Sequence, residues 1–316
     1  MTTITLADIE DAAARIAPHA HVTPVLRSTS LDAIAGCELV FKCENFQRAG
    51  AFKFRGACNA VWSLAEAIAP HGVVTHSSGN HGAALALAAR TRGIPAHVVV
   101  PEGAVATKVV AIRAYGATLH ICAPTLAARD AMAVRVERDT GATLVHPFTD
   151  PRVIAGQGTA ARELIRDTQA LDMLVTPIGG GGLIGGSAIA AKALNPQIHI
   201  FAAEPEGAAE AYASLRAGVR VTDIVPDTIA DGLRATLGEI NLALLRTHAV
   251  EVLLASDAET IAAMRLIWER LKIVIEPSSA VAVAAILRHR ERFAGRRVGV
   301  ILSGGNVDLD HLPWST

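Results

Sequence analysis

Short, continuously apolar runs alternate with longer helical patterns along almost the whole chain, and this alternation leaves few architectures open. Strand-like runs fall at 38–44, 72–76, 96–100, 118–122, 143–146, 173–178, 198–203, 250–255 and 298–302. Helical patterns lie at 8–16, 57–69, 80–92, 106–115, 126–140, 155–168, 183–194, 258–271 and 278–290. The runs do not alternate polar with apolar residues, so both faces of each strand need cover, the condition of parallel strands beneath helices. Repeated strand-then-helix units predict an α/β protein with open, mostly parallel sheets flanked by helices. The rhythm also divides the chain. Residues 72–149 form a compact block of βα-type units, expected to be a small, mobile domain inserted into a larger one built from 1–71 and 150–316.

Composition excludes several classes of function. Basic and acidic residues number 29 and 30, a formal charge of −1, so there is no electrostatic footprint for nucleic acid or an acidic membrane. Cys37, Cys43, Cys58 and Cys122 show neither CxxC pairing nor zinc spacing and read as free thiols of a reducing cytosol. The N-terminus lacks a basic-then-apolar signal pattern, and no uninterrupted apolar run reaches membrane-spanning length. A cytoplasmic globular protein acting on a small molecule is the expectation.

Lys53 is the residue with most chemical promise. It lies between two phenylalanines in Ala51-Phe52-Lys53-Phe54-Arg55-Gly56-Ala57. Desolvation disfavours an ammonium and lowers its pKa, which suits a nucleophile or base near neutral pH. A snorkelling lysine, its stem on the phenylalanines and its head in water, is the alternative. Lys42, Lys53, Lys108, Lys192 and Lys272 are the only lysines, so amine chemistry has few candidates.

Three loops at strand ends add weight to the first reading. Gly179-Gly180-Gly181-Gly182-Leu183-Ile184-Gly185-Gly186 follows a strand and opens a helix, where close backbone approach and unpaired amides suit a phosphate. Ser77-Ser78-Gly79-Asn80-His81-Gly82 also opens a helix and suits a carboxylate, although simple helix capping explains it equally well. Leu302-Ser303-Gly304-Gly305-Asn306 ends the last strand, and ligands of open α/β sheets bind at such carboxyl ends. A rival reading uses Gly180, Gly182 and Gly185 as G-x-G-x-x-G with Glu204 as the ribose-binding acid, making the chain a nicotinamide-dependent oxidoreductase. That rival leaves Lys53 and the other two loops without a task.

Taken together, the segments resemble the fold-type II pyridoxal phosphate (PLP) enzymes, which are tryptophan synthase β-like, and within them the threonine/serine dehydratase and serine racemase family. The resemblance rests on Phe41-Lys42-Cys43-Glu44-Asn45-Phe46-Gln47 leading to Lys53, on the three loops, on Ile154-Ala155-Gly156-Gln157-Gly158-Thr159 and on Glu276-Pro277-Ser278-Ser279-Ala280. It runs from about Thr23 to Asn306, with no regulatory domain following. The resemblance implies that Lys53 holds PLP as a Schiff base and that Gly179, Gly180, Gly181 and Gly182 bind its phosphate. It also implies Asn80 at the ring hydroxyl, Ser303 at the pyridine nitrogen and Phe52 against one ring face. Ser77, Ser78, Gly79, His81 and Arg129 become substrate contacts, and Ser78 a second acid/base opposite Lys53. Arg129 reads equally well as a solvated helix arginine.

Glu204, the Ala208 carbonyl and Glu210 have the 0, +4, +6 spacing of that family's divalent metal site. Their hard oxygen donors suit Mg²⁺ or Ca²⁺. The family more often has aspartate at the last position. The implied reaction is loss of water from a β-hydroxy amino acid such as L-threonine or L-serine, giving a 2-keto acid and ammonia, with serine racemase as a side activity. 3-Hydroxyaspartate and phenylserine present the same reacting atoms; Arg234 would pair with a second carboxylate or, the preferred reading, face solvent. Relatives of this kind are commonly homodimers.

Overall fold

The computed structural model describes residues 4–104, 106–168 and 170–314, with backbone alone for 106–108. The first part of the chain forms α1 (Leu6–Ile16), β1 (Val25–Leu26), α2 (Thr29–Ala35), β2 (Glu38–Cys43) and α3 (Lys53–Trp62). Next come β3 (Val73–Thr75), α4 (Asn80–Arg92), β4 (Ala96–Pro101), α5 (Ala106–Ala114), β5 (Thr118–Cys122), α6 (Leu126–Thr140) and β6 (Thr143–Leu144). α7 (Pro151–Asp167), β7 (Met173–Pro177), α8 (Gly182–Leu194), β8 (His199–Pro205), α9 (Glu210–Ala217) and α10 (Glu239–Thr247) follow. The chain closes with β9 (Glu251–Ala255), α11 (Asp257–Leu271), α12 (Pro277–Arg288), α13 (Arg290–Phe293) and β10 (Arg297–Leu302).

The strands make two sheets. One has the order β1-β2-β10-β7-β8-β9, parallel except for the antiparallel β1–β2 edge, and the other has the order β5-β4-β3-β6, parallel throughout. Side-chain alternation along the large sheet feeds two cores. Phe41, Val175, Phe201 and Val300 face α11 and α12, whereas Val40, Leu174, Ile200 and Ile301 face α7 and α8. α3 turns Phe54, Ala57 and Val61 onto β3 and α4, so a helix from outside 72–149 shares the core of the smaller sheet.

Neighbouring β7 and β10 run parallel, so the 179–182 loop and Ser303 leave the sheet at the same end. The β3 turn brings Ser77 to Asn80 from the other sheet. Every strand expected from sequence has a counterpart, and the α/β architecture is as expected. Three differences bear on the site. α3 starts at Lys53 rather than 57, α7 starts at Pro151 rather than 155, and α10 occupies a stretch where no helix was expected.

Candidate active site

Lys53 is the first residue of α3, and the 50–52 segment before it is tied to the end of β10. Ala51 and Gly304 form an antiparallel bridge, Phe52 N donates to the Ser303 carbonyl at 2.9 Å, and Gly305 N donates to the Gly50 carbonyl at 2.9 Å. These bonds fix the start of α3 beside Ser303. The Lys53 residue keeps some exposed surface, but its nitrogen is enclosed, and loss of hydration pulls its pKa down to about 8. Nζ donates to the Pro147 carbonyl at 2.9 Å and lies 5.1 Å from the Phe52 ring centre.

The same 146–148 segment covers the glycine loop. A Cβ on Gly180 would lie 2.3 Å from the Phe148 ring, and one on Gly182 would lie 3.1 Å from the Phe148 backbone. Gly181 has φ +92°, which a side chain would strain, and its Cβ would strike Asn241 at 2.6 Å. Asn241, on α10, donates through Nδ2 to the Gly180 carbonyl at 2.6 Å and the Phe148 carbonyl at 2.9 Å. Gly238 N adds a bond to the Gly180 carbonyl at 3.1 Å. The loop is thus held by the Gly180 carbonyl, while among the described residues its amides take no backbone partner and stay available for an anion.

Asn80 begins α4, and its side chain is doubly anchored. Nδ2 donates to both Glu276 oxygens, at 2.9 and 3.2 Å, and Oδ1 accepts from Asn306 Nδ2 at 3.0 Å. Glu276 is the residue before α12 and is 3% exposed. Glu276 N donates to the Gly304 carbonyl and Asn306 Nδ2 to the Ala49 carbonyl, so Asn80 and Ser303 belong to one bonded cluster with the segment that leads into Lys53. Ser77, Ser78 and Gly79 are half-buried in the turn before α4, which closes because the Ser77 carbonyl occupies the place of a Gly82 side chain.

Histidines line the other approach. The His81 ring is buried with neither nitrogen hydrogen-bonded among the described residues; burial, and then the Lys53 charge, hold its pKa well below the usual value. Burial and the neighbouring His76 lower His146 to about 4; its Nδ1 accepts from Thr149 N at 3.2 Å, so the neutral ring carries its proton on Nε2. His146 packs edge-on against His76 at 5.0 Å and Phe148 at 4.6 Å. His76 Nδ1 is 3.7 Å from Asp130, next to Arg129 on α6. Arg129 is half-buried and has no side-chain partner among the described residues. Arg234 is exposed and tied through its guanidinium to the Thr228 carbonyl, as the solvent-facing reading expected.

Glu204 is fully buried at the end of β8. Its oxygens accept from the first amides of α9, Ala211 N and Tyr212 N, both at 2.8 Å. Burial and the facing Glu210 raise Glu204 to about 8, and burial raises Glu210 to about 7. Glu210 Oε1 is buried without a hydrogen bond. Among the described residues no three His, Cys, Asp or Glu side chains converge on one point, so a cation here would also use the Ala208 carbonyl.

Residues 16–304 match the family model described as "Pyridoxal-phosphate dependent enzyme". The chain belongs to this family. It is 50% identical over 311 residues to the beta-hydroxyaspartate dehydratase of Paracoccus denitrificans (98% of this chain, 99% of the relative). It is 48% identical to the serine racemase of Dictyostelium discoideum, whose crystal structure matches with a TM-score of 0.93 over 98% of this chain and 100% of that one. The crystal structure of the T.th. threonine deaminase matches at 40% identity with a TM-score of 0.92, over 96% and 99% of the two chains. The protein is thus a fold-type II PLP-dependent enzyme, of lyase type, and the nicotinamide reading is corrected. Glu204, which that reading needed for a ribose, is turned onto the amides of α9. Among the described residues no helix is long and apolar enough to cross a membrane.

Sequence reasoning missed Asn241, Glu276 as the anchor of Asn80, and the 146–148 segment. Glu276 stood inside a recognised motif, but its partner is distant in sequence. Asn241 had no signal, because its helix was not expected.

Proposed function

We propose that the enzyme removes water from a β-hydroxy amino acid and releases a 2-keto acid and ammonia. The observation that carries this reading is the enclosed Lys53 amine, with a pKa near 8, aimed at the segment that covers a side-chain-free glycine loop. The residues fit PLP: a lysine nucleophile, a loop open to phosphate through its amides, and buried, unpaired polar atoms at His81 and Asn241. Lys53, residues 179–182, Asn80, Ser303 and Phe52 would hold PLP, which would supply an electron sink for the charge left at Cα.

The protein groups do the rest. At pH 7 a pKa of about 8 leaves roughly a tenth of the Lys53 amine neutral, some 300-fold more than for an ordinary lysine. That neutral amine takes the Cα proton, the Lys53 ammonium so formed can return a proton to the β-hydroxyl as it leaves as water, and hydrolysis of the released enamino acid gives the 2-keto acid and ammonia. Ser78 and the amides opening α4 hold the substrate carboxylate; Ser78 also offers a hydroxyl for the opposite face, which a racemase side activity needs. Because the 179–182 loop leaves the larger sheet and Ser77–Asn80 leave the smaller one, we take 72–149 as a small domain that closes over the substrate and excludes water.

A second reading, 3-hydroxyaspartate as substrate, is favoured by the unpartnered Arg129, whose charge acts on His76, and by the 50% identical relative. Keto-acid release from serine, threonine, 3-hydroxyaspartate and phenylserine ranks the pocket. Arg129→Leu is expected to raise KM for 3-hydroxyaspartate about 10- to 100-fold, the worth of a charged hydrogen bond, and to leave serine nearly unchanged. Equal losses on both substrates would remove Arg129 from side-chain recognition. Silence across the panel would refute the substrate class.

We further propose that Glu204, the Ala208 carbonyl and Glu210 hold Mg²⁺ or Ca²⁺. Both carboxyls are raised in the folded state, so without metal they favour folding at low pH and cost stability as pH rises through about 7 to 8. In chelator the melting temperature is expected to drop by a few degrees between pH 5 and pH 8, and Mg²⁺ should remove most of that drop. Superimposable curves with and without Mg²⁺ would refute the site.

A further inference from the structure

α7 lies between the helix that begins with Lys53 and the helix that begins at the glycine loop, and on both sides it touches backbone to backbone. Toward α3, a Cβ on Gly156 would lie 2.6 Å from Gly56 Cα and 2.7 Å from the Arg55 carbonyl. Conversely, a Cβ on Gly56 would meet the Val153 carbonyl at 2.7 Å. Toward α8, a Cβ on Gly158 would lie 2.7 Å from the Gly186 carbonyl, and one on Gly186 would lie 2.2 Å from the Ile154 carbonyl. None of these four glycines has a positive φ, so conformation does not require glycine there. Close approach does. Residues 156 and 158 are two apart and point to opposite sides of a helix.

The contacts fall close to the functional residues. Gly56 is three residues after Lys53, and Gly186 four after Gly182, about one helical turn in each case. Gln157, fully buried between the two glycines, accepts from Gly56 N at 3.1 Å, one of the amides that the start of α3 leaves unpaired. Across the same α3–α7 contact, Arg55 binds Glu163 at 2.6 and 2.8 Å and Thr159 at 3.1 Å. Two side chains share these contacts, Gln157 Nε2 at 2.4 Å from a Gly56 Cβ and Ile9 Cδ1 at 2.7 Å from a Gly158 Cβ, but the backbone atoms on each side cannot yield by a rotamer change.

We infer that Gly156, Gln157 and Gly158 are positioning residues: α7 is a spacer that fixes the separation between the Lys53 amine and the 179–182 loop, so that one rigid ligand must span both. This inference rests on the proposed roles of Lys53 and the glycine loop. A spacer has a signature that a merely structural helix lacks. Changing its width weakens a ligand that reaches both ends and spares ligands that reach only one.

Gly158→Ala widens the α7–α8 contact while leaving α3 in place. Affinities of the apo-enzyme for three ligands test it: PLP, 5′-deoxypyridoxal (which keeps the aldehyde but cannot reach the loop) and inorganic phosphate. PLP is expected to weaken at least about 10-fold, and the two partial ligands by less than about 2-fold. Unchanged PLP affinity, or equal weakening of all three, overturns the inference. If Gly158→Ala does not fold, the wild type decides. There, Kd(deoxypyridoxal) × Kd(phosphate) / Kd(PLP) is the effective concentration of one end in the presence of the other; it should lie far above the ~mM scale of flexible linkage. A value at or below that scale overturns the inference. Absence of borohydride-trapped PLP on Lys53 in the wild type would instead strike the underlying assignment.

Discussion

Lys53→Ala is expected to lower turnover of every β-hydroxy amino acid by at least about 10³-fold and to leave no borohydride-trapped pyridoxyl group on the protein. The size follows from the two tasks proposed for one nitrogen, capture of the cofactor and removal of the Cα proton. No other lysine in the described structure is placed to substitute. Lys42 is fully buried against Glu163 at 2.7 Å, and Lys192 donates to the Ile198 carbonyl at 2.7 Å. Lys272 closes α11 in a left-handed conformation. In the wild type the same enclosure sets a pH dependence: PLP capture should accelerate with rising pH around a midpoint near 8, because only the neutral amine attacks. A midpoint near 10, or trapping of PLP on another lysine in the variant, would remove Lys53 from its assigned role.

The chemistry of the site was more legible in the sequence than its mechanics. Lys53 and the three loops are local features, each a short stretch whose composition only a turn or a helix start explains. Their convergence follows from strand order, since parallel β7 and β10 deliver residues 179 and 303 to the same end of one sheet. What the sequence concealed was set by distant contacts. The helix expected at 57–69 began just past Gly56, a residue of low intrinsic helix propensity, whereas the helix expected at 155–168 contained Gly156 and Gly158 and lacked only the first turn of α7. Close packing overrides that propensity at Gly56, and all these glycines are where the helices touch. Asp150 capping α7 through its side chain, with Pro151 at the first position, was a start signal that the reading from 155 passed over. The two-residue β1 is too short to carry a period, and it forms only because β2 offers an edge.

Arg55→Met is expected to destabilise the enzyme by about 3–5 kcal/mol, the usual result of stripping one partner from a buried charge network. Arg55 and Glu44 are both fully buried and joined by two bonds, at 2.7 and 2.9 Å, while Glu163 receives the remaining fork. Lys42 completes the set with bonds to Glu163 and the Thr23 carbonyl, so two cations face two anions across β2, α3 and α7. Methionine fills a similar volume, so the loss is electrostatic rather than a cavity, and pH separates the two. Burial pushes Glu163 upward, but the Arg55 fork and the Lys42 charge more than offset it and leave its pKa lowered. A lowered carboxyl contributes stability above its unfolded pKa and loses it as pH falls. Without Arg55 that contribution goes, so the gap between wild type and variant should be widest at neutral pH and narrow toward pH 4. Urea unfolding at both pH values reads this directly; a gap independent of pH would mean that Arg55 acts through packing alone, and that the charge balance behind α3 is not what holds Lys53 in place.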